Sequence, residues 1–221
     1  MLRAEWRFLQ LTMFIGAWML LAPMLQDRWL VQLLLQLFLL NTLLVTLWAN
    51  PGWPGLRTLM IGLWLVSLTG SILAILPLSP DWRHIMRSIE LVSSMPLLAL
   101  LAAGILRFVF RRRQLTADGI FATVAVYLIV ALLFAQLYLL LLEWNPASFN
   151  LDANARTPPQ LQSDLAYFSL ITLATVGYGD ILPVTEIART LAAFEATVGQ
   201  FYIAVVVAVF VGMYAAQRRD P

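Results

Sequence analysis

Apolar positions run in long blocks separated by short polar or turn-rich stretches. Blocks of about 20 residues, enough to cross ~30 Å of hydrocarbon, lie near Phe8–Leu25, Trp29–Trp48, Leu56–Leu78, Ile89–Phe110, Ile120–Glu143 and Ile187–Ala216. Ser163 to Ala174 is a shorter amphipathic run, read as a helix that crosses only half the bilayer, with Ser163 or Asp164 as its cap. The pattern predicts an all-α membrane protein of six transmembrane helices plus one re-entrant helix. Only Gln26-Asp27-Arg28 joins the first two spans, which implies a tight antiparallel pair, and Asn50 to Gly55 is a dense turn signal. Pro96 marks a kink in the fourth span. Trp144 to Gln162 is polar and turn-rich, with Asn145-Pro146 and Pro158-Pro159, and reads as a turret outside the membrane whose path the sequence does not disclose.

Composition agrees with burial in lipid. Hydrophobic residues make up 61% of the chain and charged residues 12%, with a mean hydropathy of +0.82; a soluble domain carries about twice that charge. There is no cysteine, hence no disulfide or thiolate metal site, and no cofactor is expected. The net charge of +2 is too small to suggest nucleic acid. Arg3 and Arg7 precede the first apolar run as in a signal peptide, but no small-residue cleavage site follows, so the run reads as a retained span.

The most informative stretch is Thr175-Val176-Gly177-Tyr178-Gly179-Asp180, between the half-crossing helix and the last span. Successive carbonyls of an extended backbone can face one axis only if alternate residues take angles that a Cβ resists. Gly177 and Gly179 stand at two such alternate positions, where glycine enters positive φ at little cost. Stacked rings of such carbonyls can replace the water shell of a dehydrated cation. These six residues resemble the selectivity filter of the potassium-channel superfamily. The close resemblance covers about Ile120 to Ala216; over the first four spans it is architectural only.

The resemblance implies a homotetramer, because one filter per chain needs four copies to close a ring. Thr175, Val176, Gly177 and Tyr178 would hold potassium as the permeant ion, supported by Gly179 and by Asp180 at the outer mouth. Tyr167 and Phe168 match positions of an aromatic cuff. Where relatives often carry a carboxylate partner for the Asp180-type residue, this chain has Ile171, so another group must brace Asp180, with Tyr167 the candidate. Gly199 matches a gating hinge; the alternative is that a small residue lets the half-crossing helix pack closely. The chain divides accordingly into residues 1–114, resembling a voltage-sensor-like four-helix unit, and 115–221, a pore unit. Only a few residues follow the last span, so no cytoplasmic regulatory domain is expected.

Charge placement refines this. Arg3, Arg7, Arg57, Arg107, Arg111 to Arg113, Arg218 and Arg219 fall on one side, and Arg28, Arg83, Arg87, Arg156 and Arg189 on the other. The bias predicts cytoplasmic termini, and a bacterial inner membrane fits the economy of the chain. Leu91 to Leu106 contains no basic residue, so the fourth span cannot sense voltage as a charged helix does. The cluster at Arg111 to Arg113 leads to Thr116-Ala117-Asp118-Gly119, a cap for the fifth span. Glu195 is an acid within a span, a functional candidate by default. It either senses pH or, the preferred reading, holds the last span against Ser169, Thr172, Gln136 or Tyr138. His84, the single histidine, reads as a surface residue. Glu143, Asp152 and Asp164 lie on the outer side, and Arg189 is a candidate cross-subunit partner for Asp180 or Glu186.

The reading is a tetrameric potassium-selective channel, not an enzyme, with lipid and its own copies as partners. Two alternatives come from other classes. A potassium uptake transporter subunit usually carries four degenerate filter repeats in one chain, against one intact copy here. A non-conducting scaffold with a vestigial pore sits poorly with six intact filter residues.

Overall fold

The computed structural model describes residues 7–21, 24–25, 28–50, 52, 54–76, 79–111, 116–152 and 155–217. Among them the architecture is all-helical: α1 (Arg7–Leu21), α2 (Arg28–Ala49), α3 (Pro54–Ile75), α4 (Pro80–Arg111), α5 (Ala117–Trp144), α6 (Pro158–Leu173) and α7 (Glu186–Gln217), with a 3-10 turn at Pro146–Ser148. The described residues contain no strand, only an isolated antiparallel bridge between Phe149 and Pro183.

Five helices, α2 to α5 and α7, are long and apolar enough to cross a membrane. For the first expected span, α1 has 15 described residues, about 22 Å at 1.5 Å per residue, which by themselves do not reach the ~30 Å of hydrocarbon. Residues 22–23, inside that expected span, lie outside the described residues, as do 77–78 at the end of the third and the basic run 112–115. The fourth helix begins earlier than its apolar run, at Pro80, and continues through Pro96 without a break in secondary structure.

α1 lies beside α5 and runs in the same direction. The Phe8 amide donates to Asp118 Oδ1 at 3.1 Å and the Thr12 hydroxyl to the Phe121 carbonyl at 2.9 Å. The expected cap of α5 is present, with Thr116 Oγ1 accepting from the Gly119 amide at 3.1 Å. α4 packs most extensively against α3 and α5, and its N-terminal end is pinned to the far end of α5 by Glu143. That carboxylate pairs with Arg87 at 2.8 Å and His84 at 3.1 Å. The lone histidine thus has a defined neighbour at the surface.

One apolar core joins α1, α2 and α4 to α5 through Phe8, Leu11, Ile15, Phe38, Leu97, Leu101, Ile105 and Ile129, all essentially solvent-free. The four-helix unit nevertheless has a polar seam. Glu90 is buried, and both its carboxylate oxygens lie 2.6 Å from Gln32 Nε2, which donates to them. Gln36 donates to Ser67 Oγ at 3.2 Å. Gly70 lets α3 approach at this level, since a Cβ there would meet the Met86 carbonyl oxygen at 3.1 Å and the Glu90 nitrogen at 3.2 Å. Glu90 sits at the edge of an apolar run, and hydropathy alone does not distinguish a buried acid there from a snorkelling one.

A second core, around Tyr138, Phe149, Leu161, Leu165, Phe168 and Ile181, binds α5, α6 and the segments on either side of the 175–180 stretch. Its centre is an aromatic trio. Tyr138, Phe149 and Phe168 meet edge-on with centroids 5.2 to 5.4 Å apart, the arrangement the ring quadrupole favours.

Candidate functional site

The half-crossing helix starts earlier than its amphipathic pattern suggested. α6 opens at Pro158, so Ser163 and Asp164 lie in its second turn and do not cap it. Thr157 is the cap residue, with its amide donating to Gln160 Oε1 at 2.8 Å. Pro158 and Pro159 occupy the first two positions, where a missing N–H costs nothing. Asp164 pairs instead with Arg156. With 16 residues, α6 is about 24 Å long.

α6 ends at Leu173, and Ala174 closes it with its amide on Leu170 O. The chain then turns back on the helix end. The Thr175 amide donates to Thr172 O at 2.9 Å, Val176 to Ile171 O at 2.8 Å and Gly177 to Ile171 O at 3.3 Å. Three amides are spent on orphan carbonyls of the last helical turn. Among the described residues, no hydrogen bond reaches the carbonyls of Thr175, Val176, Gly177 or Tyr178.

The backbone angles alternate. Thr175 has φ 56°, Gly177 has φ 55° and Gly179 has φ 81°, with the residues between them at negative φ. Reversing the sense of rotation at every second residue turns successive peptide planes the same way. Two of these positions are glycines, as the spacing suggested. The third, Thr175, is a β-branched residue that resists this region, and nothing in its type announced it. All six residues from Thr175 to Asp180 are exposed in the single chain, Tyr178 at 73%.

The exit of the stretch is held by the turret, whose path was not legible in the sequence. Asn150 Oδ1 accepts from the Leu182 amide at 2.6 Å, and Nδ2 donates to the Asp180 carbonyl at 3.3 Å. Backbone bonds from Asn150 N to Leu182 O, 3.1 Å, and from Val184 N to Ser148 O, 2.8 Å, complete the clamp. Asn150→Ala removes both side-chain bonds, an expected loss of about 1–2 kcal/mol. Faster amide hydrogen exchange at Leu182 than in the wild type is the measurement that checks it.

Tyr167 and Phe168 separate. The Tyr167 side chain is exposed and lies close to Asp180, with Tyr178 also near. Phe168 faces the opposite way, into the aromatic trio on α5.

Glu195 and Gly199, one helical turn apart on α7, sit against Ser169 and Leu173, one turn apart on α6. Glu195 is fully buried. Tyr138 Oη donates to its Oε2 at 2.5 Å, and Ser169 Oγ is in hydrogen-bond contact with its Oε1. Two of the four partners anticipated for Glu195 are therefore present. Ser169 Oγ also donates to Ala131 O at 2.6 Å. A serine hydroxyl has one hydrogen, so both Ser169 contacts are satisfied when Glu195 is the neutral acid and donates to Ser169 Oγ. At Gly199, an added Cβ would lie 2.0 Å from the Leu173 carbonyl oxygen. The backbone of α6 rests directly on that of α7. Next to it, Gln200 Nε2 donates to Thr175 Oγ1 at 3.0 Å. Sequence reasoning did not single out Gln200. An amide at the base of the stretch, one residue after a helical glycine, is the signal that was available.

The comparisons with known proteins fall on this part of the chain. The family model described as "Ion channel" matches residues 123–216. Protein LctB from Bacillus caldotenax is 35% identical over 96 residues, which is 42% of this chain and 71% of that protein. The inward rectifier potassium channel Kirbac3.1 from Paramagnetospirillum magnetotacticum is 38% identical over 79 residues, 36% of this chain and 24% of that one. No solved structure matches. An all-helical chain with several apolar helices, the ion channel match and these relatives agree: the chain belongs to the potassium channel superfamily.

Proposed function

We propose that the protein is a multi-pass, homotetrameric, potassium-selective channel in which Thr175 to Tyr178 of four chains form the filter. The observation that carries the reading is the alternation of φ at Thr175, Gly177 and Gly179, together with amides turned back onto α6. Such a backbone offers its carbonyls to one side, where four copies make stacked oxygen rings for a bare cation. The negative end of α6 is directed to the base of the same stretch. Irregular backbone at membrane depth requires protein or a wet path around it; an exposed stretch in the single chain supports further copies of the chain as that surrounding. α7 supports it too. Its apolar residues Phe194, Phe201, Val207, Val211 and Tyr214 are exposed, which suits a helix that lines a shared cavity and its inner mouth.

In this reading residues 1–114 are a lipid-facing scaffold on a pore unit of residues 115–221, with both termini cytoplasmic and the Asp180 end outside. Potassium flux into liposomes of purified protein, compared with sodium and blocked by barium, tests it. No potassium flux, or equal sodium flux, would defeat it.

The fourth helix gives no basis for voltage sensing. Arg83 and Arg87 lie near one end and Arg107 and Arg111 near the other, and Arg87 is tied to Glu143. Each charge moved across 100 mV contributes about 2.3 kcal/mol, and none is placed to move. Open probability in planar bilayers is therefore expected to stay flat between −100 and +100 mV (an experimental range on the order of physiological potentials); steep voltage dependence would contradict the assignment.

A further inference from the structure

Thr175 is the one described non-glycine residue with positive φ, at 56°. A side chain at that angle must be held there by its surroundings. Two bonds hold it. Its amide donates to Thr172 O at 2.9 Å, and its hydroxyl oxygen accepts from Gln200 Nε2 at 3.0 Å. The position of Gln200 is itself tightly set. It follows Gly199, where α7 touches the Leu173 carbonyl without an intervening side chain. The last turn of α6, the base of the filter stretch and α7 thus meet at one point.

A threonine hydroxyl has two lone pairs and one hydrogen. The Gln200 amide takes one lone pair and thereby restricts the direction of the other. We propose that Gln200 is a positioning and specificity-determining residue for the innermost ion site. Its carboxamide orients the Thr175 hydroxyl so that the free lone pair faces a dehydrated cation, and four such carboxamides border the site from the cavity. The proposal rests on the channel reading above and names a residue outside the filter motif.

Barium is close to potassium in radius and carries twice the charge, so it competes for the same site and its inhibition of potassium flux reports on that site. The experiment measures potassium flux and its inhibition by barium for wild-type tetramers, Gln200→Leu and Gln200→Glu in liposomes. Gln200→Leu keeps most of the volume and loses the donor. Its half-inhibiting barium concentration is expected to rise about tenfold, the worth of roughly one hydrogen bond. Gln200→Glu places a carboxylate beside the same site and is expected to lower that concentration. Opposite shifts are the signature, because a packing defect moves both variants the same way.

Barium inhibition within about twofold of wild type in both variants, well under the hydrogen-bond value, overturns the proposal, as do shifts in the same direction. If Gln200→Leu fails to assemble, unchanged inhibition in Gln200→Glu overturns it alone and tighter inhibition supports it. A wild-type protein without potassium flux defeats the channel reading instead, so the two failures are distinguishable.

Discussion

Gly199→Ala is expected to destabilise the folded protein and to eliminate potassium flux. Two effects of the added methyl compete. Replacing glycine by alanine in a helix ordinarily stabilises it by about 0.5–1 kcal/mol. Here the new Cβ lies 2.0 Å from the Leu173 carbonyl oxygen and 2.9 Å from its carbonyl carbon. Backbone atoms at the end of a helix cannot rotate aside, so α6 and α7 must separate. Overpacking costs about 1–3 kcal/mol where side chains can yield, and the upper end or beyond applies where they cannot. The Leu173 carbonyl sits two residues before Thr175, so the displacement passes directly into the Thr175–Asp180 stretch. Gly62→Ala is the control. Nothing lies within 4 Å of that Cβ, and a neutral or slightly stabilising result is expected. Thermal unfolding of the purified oligomer, with flux, separates close packing from a hinge. A Gly199→Ala protein that unfolds at the wild-type temperature and changes only its open probability would restore the hinge reading.

Glu195→Leu is expected to cost about 2–4 kcal/mol, and Glu195→Gln almost nothing. The leucine leaves the fully buried Tyr138 hydroxyl without its partner, a penalty of about 1–3 kcal/mol, and uncouples α7 from α5 and α6. Glutamine has the same shape, and its amide presents one acceptor to Tyr138 and one donor to Ser169. It reproduces the bonds of the neutral acid. Differential scanning calorimetry of the three proteins reads the ranking directly. A Glu195→Gln protein as unstable as Glu195→Leu would show that a charged carboxylate is required. Current whose pH dependence disappears in Glu195→Gln would identify the residue as a sensor as well as a structural tie.

The residues differ in how they became legible. Gly177 and Gly179 were readable because a required positive φ selects glycine. Thr175 takes the same angle, but a threonine carries no mark of it. The role of the turret as a clamp was hidden because Asn150 acts across 32 residues, on a segment with no pattern of its own. Thr157 was overlooked as the start of α6 because Pro158-Pro159 reads equally as a turn and as the first positions of a helix. Glu195 could be assigned a short list of partners from helical spacing, but the choice of Tyr138 and Ser169 required the packing.

Hydrophobic period and a six-residue backbone demand suffice to place this chain in a membrane, order its long helices and pick out the stretch whose backbone alternates in φ. Those properties depend on composition and on local dihedral preference, which adjacent residues carry by themselves. The contact of Gly199 with Leu173, the bond from Gln200 to Thr175 and the separate destinations of Tyr167 and Phe168 depend on which helix faces meet. That is decided by shape complementarity between segments distant in the chain, and only the folded arrangement contains it.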